Sequence, residues 1–403
     1  MISTACRLCS STNLRLIIDL NFHPLGDTFL PKEALDQSET RYPLRVLQCA
    51  DCGHAFLQYV VPEEERYQKV DYSYTAGNSP VSVKHFGEMA TEIIADQIIS
   101  ANDLVVDIGG NDGTLLKAFK DQSGCKVLNV EPAGNIAKIS QENGIATHHG
   151  FFDSMAASKI KAMGGAKAIT GTNVFNHIND LPTFMKDVKE ALTPDGAFVF
   201  EAPSLLELVK RLAFDTIYLE HVSFFGMKPL VKFFETLGLH VHRIEASDYM
   251  GGSFRVYVKQ TPATNSAAQD FIALEDAAQL YDAATYEEFM AKVRKFRSDL
   301  MSQLYDIKAK GGKIVGIGAA TKGNTLLNYC GIDNGLLECV TDSSPLKIGK
   351  YTPGSHLPII PDAEIPKDAT HALILPWNIG NFLKEKLKHL NLEFIVPHMD
   401  GQA

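Results

Sequence analysis

Residues 104–116 read LVVDIGGNDGTLL. A short apolar run carries the chain into Asp107, a turn rich in glycine follows, and a helix-like apolar pattern begins at Thr114. Gly109, Gly110 and Gly113 let the backbone bend sharply and approach a ligand closely. A second run, VLNVEP, ends at Glu131, where an acidic side chain at the tip of the next strand suits the two hydroxyls of a ribose. The turn has the pattern D-x-G-G-N-D-G rather than the G-x-G-x-x-G of a dinucleotide loop. Asp107 and Asp112 repel a pyrophosphate but suit a ligand that carries an amino group and a sulfonium. The expected cofactor is therefore S-adenosylmethionine, held by Asp107, Gly109, Asn111, Gly113 and Glu131.

Outward from this stretch the same alternation continues. KAITGTNV (167–174) and GAFVFEAP (196–203) are strand-like, while TLLKAFKDQ (114–122) and LPTFMKDVKEAL (181–192) are helix-like. Strands alternating with helices imply a mostly parallel, doubly wound sheet. Asn173, at the tip of the fourth strand, is expected beside the methyl donor, with His177 one turn further on. Phe151 and Phe152 either flank an adenine or pack in the core.

A charged, alanine-rich connector follows, in TNSAAQDFIALEDAAQL (264–280) and YEEFMAKVRKFRSDLMSQLYDIKAK (286–310), with apolar residues at helical spacing. The alternation then resumes in KIVGIGAATKG, NTLLNYCGI, LLECVTD, HALILPWN and EFIVPHMD, which reads as a second, smaller α/β domain. In GIGAATKG a glycine turn precedes a helix whose start carries Lys322, a place suited to phosphate. A tight turn with a solvated lysine is the bland alternative. Lys347, Lys350 and Tyr351 add charge and stacking for a nucleotide. Trp377 either lines the cleft or packs.

The first 70 residues are turn-rich and hold two tight cysteine pairs, Cys6-x-x-Cys9 and Cys49-x-x-Cys52. Two such pairs complete a closed tetrahedral shell for a structural Zn²⁺, leaving no open position for catalysis. His54 is a less economical ligand once four thiolates are present, and Cys125, Cys330 and Cys339 read as buried thiols. The expected division is 1–70 zinc-binding, 71–275 cofactor-binding and 276–403 C-terminal.

The 403-residue chain is long enough for two or three domains, and 45% hydrophobic residues suffice for their cores. A net charge of −10 with no basic block argues against a nucleic-acid partner. No run approaches the ~20 apolar residues that span a bilayer, and the start lacks the sections of a signal peptide. A cytoplasmic protein, away from the membrane, is expected.

Residues 218–225, YLEHVSFF, set Tyr218, Glu220 and His221 in an apolar run. A buried strand with one satisfied histidine accounts for these eight residues by themselves. A proton-transfer site accounts for them too, because histidine is the usual base near neutral pH. If the segment is a strand, Glu220 and His221 point to opposite faces and Glu220 anchors a sugar group; in a loop it can orient the imidazole.

These stretches, together with YSYTAG (72–77), NVEPAGNIA (129–137), TNVFNHI (172–178), GGSFRVYV (251–258), GIGAATKGNTLLNYCGI (316–332) and SPLKIGKYTPGSHLPI (344–359), resemble the three-domain sugar C-methyltransferases that act on nucleotide-linked deoxyketosugars. The resemblance runs the length of the chain. It implies a Rossmann-like S-adenosylmethionine methyltransferase domain flanked by a four-cysteine zinc domain and a smaller C-terminal α/β domain. It implies methyl transfer to carbon beside a ketone, commonly C3 of a 4-keto sugar, with His221 as base and Tyr72, His177, Tyr218 and Glu220 around the sugar. Tyr218 or Tyr72 donates a hydrogen bond to the enolate oxygen. Lys322, Asn324, Lys347 and Tyr351 serve the nucleotide, expected as a dTDP-linked keto-deoxysugar, and a monomer is implied. Two positions depart from the family's pattern: Met250 stands where histidine is frequent, and Thr321 where a smaller residue or proline is common. The rivals are an O- or N-methyltransferase on the same substrate class, a nucleic-acid methyltransferase and a non-catalytic binder.

Overall fold

A computed structural model describes residues 1–68, 72–263 and 266–397. The N-terminal region forms an antiparallel sheet from β1 (Leu14–His23), β2 (Tyr42–Cys49) and β3 (Ala55–Leu57). The central region contributes β4 (Leu104–Ile108), β5 (Lys126–Glu131), β6 (Thr147–His149), β7 (Ala166–Thr172) and β8 (Leu192–Pro203). The short β9 (Ser223–Phe224) then leaves the central sheet and pairs with β3, before β10 (His240–Ser247) and β11 (Ser253–Lys259) return to it.

The central order is β10-β11-β8-β7-β4-β5-β6, with β11 antiparallel to both neighbours and the other pairings parallel. All five residues of β4 are buried, the pattern of a parallel strand covered on both faces. The strand order reverses between β4 and β7, so a crevice opens outside their carboxyl ends. Gly113 caps the helix Thr114–Ser123 at φ 83°, and Gly124 ends it in the left-handed region. The helix Leu181–Ala191 starts on Asp180, whose side chain accepts from Thr183 N, and carries proline in its first turn.

The C-terminal sheet is parallel throughout. It holds β12 (Ile314–Ile317), β13 (Leu337–Asp342), β14 (Ile359–Pro361), β15 (His371–Ile374) and β16 (Glu393–Ile395), in the order β14-β13-β12-β15-β16. Part of EFIVPHMD, residues 398–400, lies outside the described residues.

The connector forms two helices, Ser266–Ala277 and Ala283–Ala309. The second is about 40 Å long at the usual rise. It buries Tyr286, Phe289, Met290, Val293, Leu300 and Leu304 at helical spacing. These side chains join Ile18, Leu44 and Val46 of the N-terminal sheet to Leu326 and Leu373 of the C-terminal domain in one core. A region of some 70 residues has a small core of its own, and this one extends it through the shared core. The boundary expected between 70 and 71 lies outside the described residues; the one expected at 275 falls two residues before the end of a helix. No helix among the described residues is long and apolar enough to cross a membrane.

Candidate active site

A cavity of about 1160 Å³ extends from the carboxyl ends of β4, β5 and β7 to those of β12 and β13. Single-ligand pockets run to about 1,000 Å³, so this one has room for two ligands. The central domain lines it with Asp107, Gly109, Asn111, Glu131 and Asn173, and Phe151 and Phe152 join them. Tyr72, His177, Tyr218 and His221 line it as well, and the C-terminal domain adds Thr321, Lys322 and Lys347.

The glycine turn is tightly built. Gly109 has φ +61°, and a Cβ there meets Val174 Cγ2 at 2.6 Å. Glu131 accepts hydrogen bonds from Asn111 N (3.1 Å) and Ala133 N (2.9 Å), and Asp107 accepts one from Thr170 Oγ1 (2.7 Å). Burial pushes both carboxyls up to about 7. Two buried acids beside glycine backbone fit a cationic cofactor and disfavour a pyrophosphate. Asp112, expected beside Asp107 at the ligand, is used elsewhere: it accepts from Gly77 N (2.7 Å) and Thr114 Oγ1 (2.6 Å). Gly113 is also turned away from the cavity, since a Cβ on it meets Ile145 Cγ1 at 2.7 Å. The Asn111 side chain accepts from Ala76 N and donates to Tyr74 O, which clasps the 72–78 segment over the loop.

Residues 218–221 form a turn rather than a strand, with His221 N donating to Tyr218 O (3.0 Å). Strand alternation therefore does not govern Glu220 and His221. The His221 ring places Nδ1 2.8 Å from Thr216 O. A carbonyl only accepts, so Nδ1 carries the proton and Nε2 keeps the lone pair. The Tyr218 ring lies against the imidazole with centroids 3.8 Å apart, and the His177 ring is 4.9 Å away. Burial pushes His221 down to about 3, so the ring stays neutral. The turn is braced from the N-terminal sheet. Leu57 N donates to Val222 O (3.0 Å), and β3 pairs with β9 directly after it.

Glu220 neither orients the imidazole nor lines the cavity wall. Its Oε1 accepts from Asp27 N (3.0 Å), and Asp27 in turn accepts from Ser73 Oγ (2.9 Å) and Thr321 Oγ1 (3.1 Å). Burial, with Asp27 adding to it, pushes Glu220 up to about 7. The turn, the N-terminal region and the C-terminal domain meet at this carboxyl pair. Thr321, a departure from the family's pattern, finds its partner here.

Lys322 donates to Asn378 Oδ1 (2.8 Å) and to the carbonyl of Met250 (3.3 Å), and lies 4.9 Å from the Trp377 ring. Trp377 packs and donates through Nε1 to Asp215 (2.8 Å). Lys347 donates to Ala319 O (2.7 Å). Two residues expected at the nucleotide hold domains together instead. Asn324 donates to Gly26 O (2.6 Å), and Tyr351 exchanges backbone hydrogen bonds with Leu30 (2.9 and 2.8 Å).

Cys6, Cys9, Cys49 and Cys52 bring their sulfurs within 4.8 Å of one another. The Cys6–Cys52 and Cys9–Cys49 separations are both 3.6 Å, close to the ~3.8 Å edge of a tetrahedral zinc–thiolate shell. The four residues fit Zn²⁺. His54 is not part of the group: its buried ring stacks between Phe56 and Phe225.

Sequence reasoning missed Arg66, Tyr67 and His85 on or beside this cavity. Tyr67 Oη is 2.6 Å from His177 Nδ1. His85 pairs with Glu201 (2.8 Å) and stacks on Tyr249 with centroids 3.9 Å apart. None of these residues sits in a motif, and only their spatial partners reveal them.

Three domain families match in tandem. They are a zinc binding domain over residues 6–67, a methyltransferase domain over 88–244 and a C-methyltransferase C-terminal domain over 248–397. C-methyltransferase NovU of Streptomyces niveus is 30% identical over 401 residues, covering 97% of this chain and 94% of that protein. Among solved structures, mitomycin 7-O-methyltransferase MmcR is 18% identical with a TM-score of 0.35, over 45% of this chain and 54% of that one. Magnesium protoporphyrin IX methyltransferase ChlM of Synechocystis PCC 6803 is 10% identical with a TM-score of 0.34, over 44% of this chain and 79% of that one.

Proposed function

The chain belongs to the C-methyltransferase family, and from that premise we propose that it methylates, with S-adenosylmethionine as donor, the carbon beside the ketone of a nucleotide-linked 4-keto-deoxysugar, at C3. The observation that carries this reading is the His221 tautomer: a buried neutral imidazole whose Nδ1–H is committed to Thr216 O keeps its lone pair on Nε2, in a cavity shared with the acidic glycine turn.

A carbon beside a ketone is only weakly acidic. His221 Nε2 takes its proton; the C–H electron pair forms the C=C bond, and the carbonyl π pair moves to oxygen to give the enolate. Asp107 and Glu131 hold the cofactor's amino group and ribose, and Asn173 and the loop around Gly109 and Asn111 orient it. When bound, S-adenosylmethionine supplies an electrophilic methyl carbon. Tyr218 covers the face of the His221 ring, and Tyr72 and Tyr218 contribute hydroxyls to the sugar pocket. Lys322 and Lys347 attract the diphosphate of a dTDP-type carrier. Cys6, Cys9, Cys49 and Cys52 hold a structural Zn²⁺ with no part in the chemistry.

The test is incubation in D2O with a panel of nucleotide-linked 4-keto-6-deoxysugars, read by mass spectrometry. Deuterium uptake beside the ketone and one methyl group gained on carbon are expected. A methyl group on oxygen or nitrogen sinks the substrate reading.

Cofactor affinity carries a pH signature. Burial keeps Asp107 and Glu131 protonated below about 7 in the free protein, and a cationic ligand favours their ionised forms. Binding is therefore expected to tighten by about 10-fold per carboxyl, up to about 100-fold for the pair, between about pH 6 and 8 and to release protons. Calorimetry in buffers of different ionisation enthalpy measures this, and Asp107→Asn removes its share and leaves only the Glu131 step. Equal affinity at both pH values counts against the assignment.

A further inference from the structure

The helix Glu63–Tyr67 ends beside the cavity, and its last two residues act on His177. The Tyr67 hydroxyl lies 2.6 Å from His177 Nδ1. A separation this short is in the range of hydroxyl-donated bonds and is consistent with the phenol as donor. Arg66 supports the same direction. Its Nη1 donates to the phenol oxygen (3.4 Å), which leaves the phenol proton for His177. The guanidinium is itself held in place: it donates to Val61 O (3.1 Å), to Asn179 Oδ1 (2.8 Å) and twice to the carbonyl of His177 (3.2 and 3.3 Å). It also reaches Glu220 O (3.2 Å), so one side chain fixes the backbone of both histidine-bearing turns.

Since Nδ1 accepts, the proton of neutral His177 sits on Nε2. That nitrogen is buried and without a protein partner, in a ring that lines the cavity. His221, 4.9 Å away between centroids, has the reverse arrangement. We propose that Tyr67, held by Arg66, is a positioning residue that fixes His177 as the Nε2–H tautomer, so that the two histidines offer one substrate a lone pair from His221 and an N–H donor from His177. This rests on the enolate reading above, in which oxygen gains charge as carbon loses its proton. His177 Nε2–H is a donor for that oxygen, beside the hydroxyl of Tyr218 or Tyr72. Burial, the neighbouring His221 and Arg66 all hold His177 well below the usual histidine range. The ring therefore donates a hydrogen bond as neutral imidazole and does not compete with His221 for the substrate proton.

Two measurements test this on the full chain. The first needs no substrate: two-bond ¹H–¹⁵N spectra of the histidine-labelled protein, assigned with His177→Gln and His221→Asn. Nδ1–H at His221 and Nε2–H at His177 are expected; Nδ1–H at His177 overturns the proposal. The second is turnover. Glutamine can place an amide N–H near the position of Nε2, whereas asparagine reaches only that of Nδ1. His177→Gln is expected to retain about 10-fold more kcat than His177→Asn at similar KM, within the ~10²-fold that losing one such donor costs. Tyr67→Phe lowers kcat about 10-fold with KM little changed, by releasing the ring. Equal kcat for the Gln and Asn variants overturns the donor role. If no keto sugar is turned over, the substrate reading fails and the spectra alone decide the tautomers.

Discussion

His221→Asn is expected to lower kcat by about 10³-fold, the scale of a lost general base, while S-adenosylmethionine still binds. Asparagine is the informative replacement. Its amide N–H can still donate to Thr216 O, as Nδ1–H does now, so the 218–221 turn keeps its anchor while no lone pair remains at the position of Nε2. Deuterium uptake beside the substrate ketone disappears with turnover, and calorimetry shows the cofactor bound. If turnover stays within about 10-fold of the parent, His221 is not the base. The pH profile supplies a second check. Burial pushes His221 down to about 3 before the sugar binds, so with cofactor saturating, kcat/KM for the sugar has no acid limb at the ordinary histidine pKa. A limb near 6.5, the ordinary value, contradicts a buried neutral base.

Cys49→Ser is the second large effect, and it acts at a distance. Cys49 closes β2, is fully buried and shares the four-sulfur cluster. Structural zinc contributes folding free energy outright, about 10–16 kcal/mol in isolated finger peptides. Even a fraction of that rivals the ~5–15 kcal/mol stability of a whole domain. Loss of bound metal, a broadened melt and lower Tm are expected, read by elemental analysis and calorimetry. The consequence for chemistry follows from the hydrogen bonds. β3 starts just past Cys52, pairs with β9 and donates from Leu57 N to Val222 O. Fraying of β3 therefore frees the turn that carries His221. Hydrogen exchange should accelerate at Leu57, whose N–H donates to Val222 O, and at residues 223–224, which pair with β3, while β4 and β5 stay protected. Unchanged metal content and Tm would falsify the zinc assignment, and unchanged exchange would sever the link to the base.

The local order around Asp107, Gly109 and Glu131 was legible in the sequence, as were the two cysteine pairs. In each case the information lies in the spacing of a few consecutive residues: an apolar run ending in an acid, glycines where the chain must turn, thiols two apart. A strand, a tight turn and a knuckle are local objects, and elementary sterics and ligand reach determine them whatever packs outside. The full order of the central sheet, with β11 inserted antiparallel, and the departure of β9 to another sheet were not legible, because hydrogen bonding between distant strands leaves no trace in spacing. The same holds at the site. Glu220 meets Asp27 across 193 positions of chain, Asn324 meets Gly26 across 298, and Tyr67 meets His177 across 110. The sequence singled out His221 and His177 only through the family resemblance, since their own neighbours fit packed histidines as well. Which nitrogen of each carries the proton was decided only by tertiary structure, because a tautomer is set by whichever donor or acceptor the fold brings against the ring.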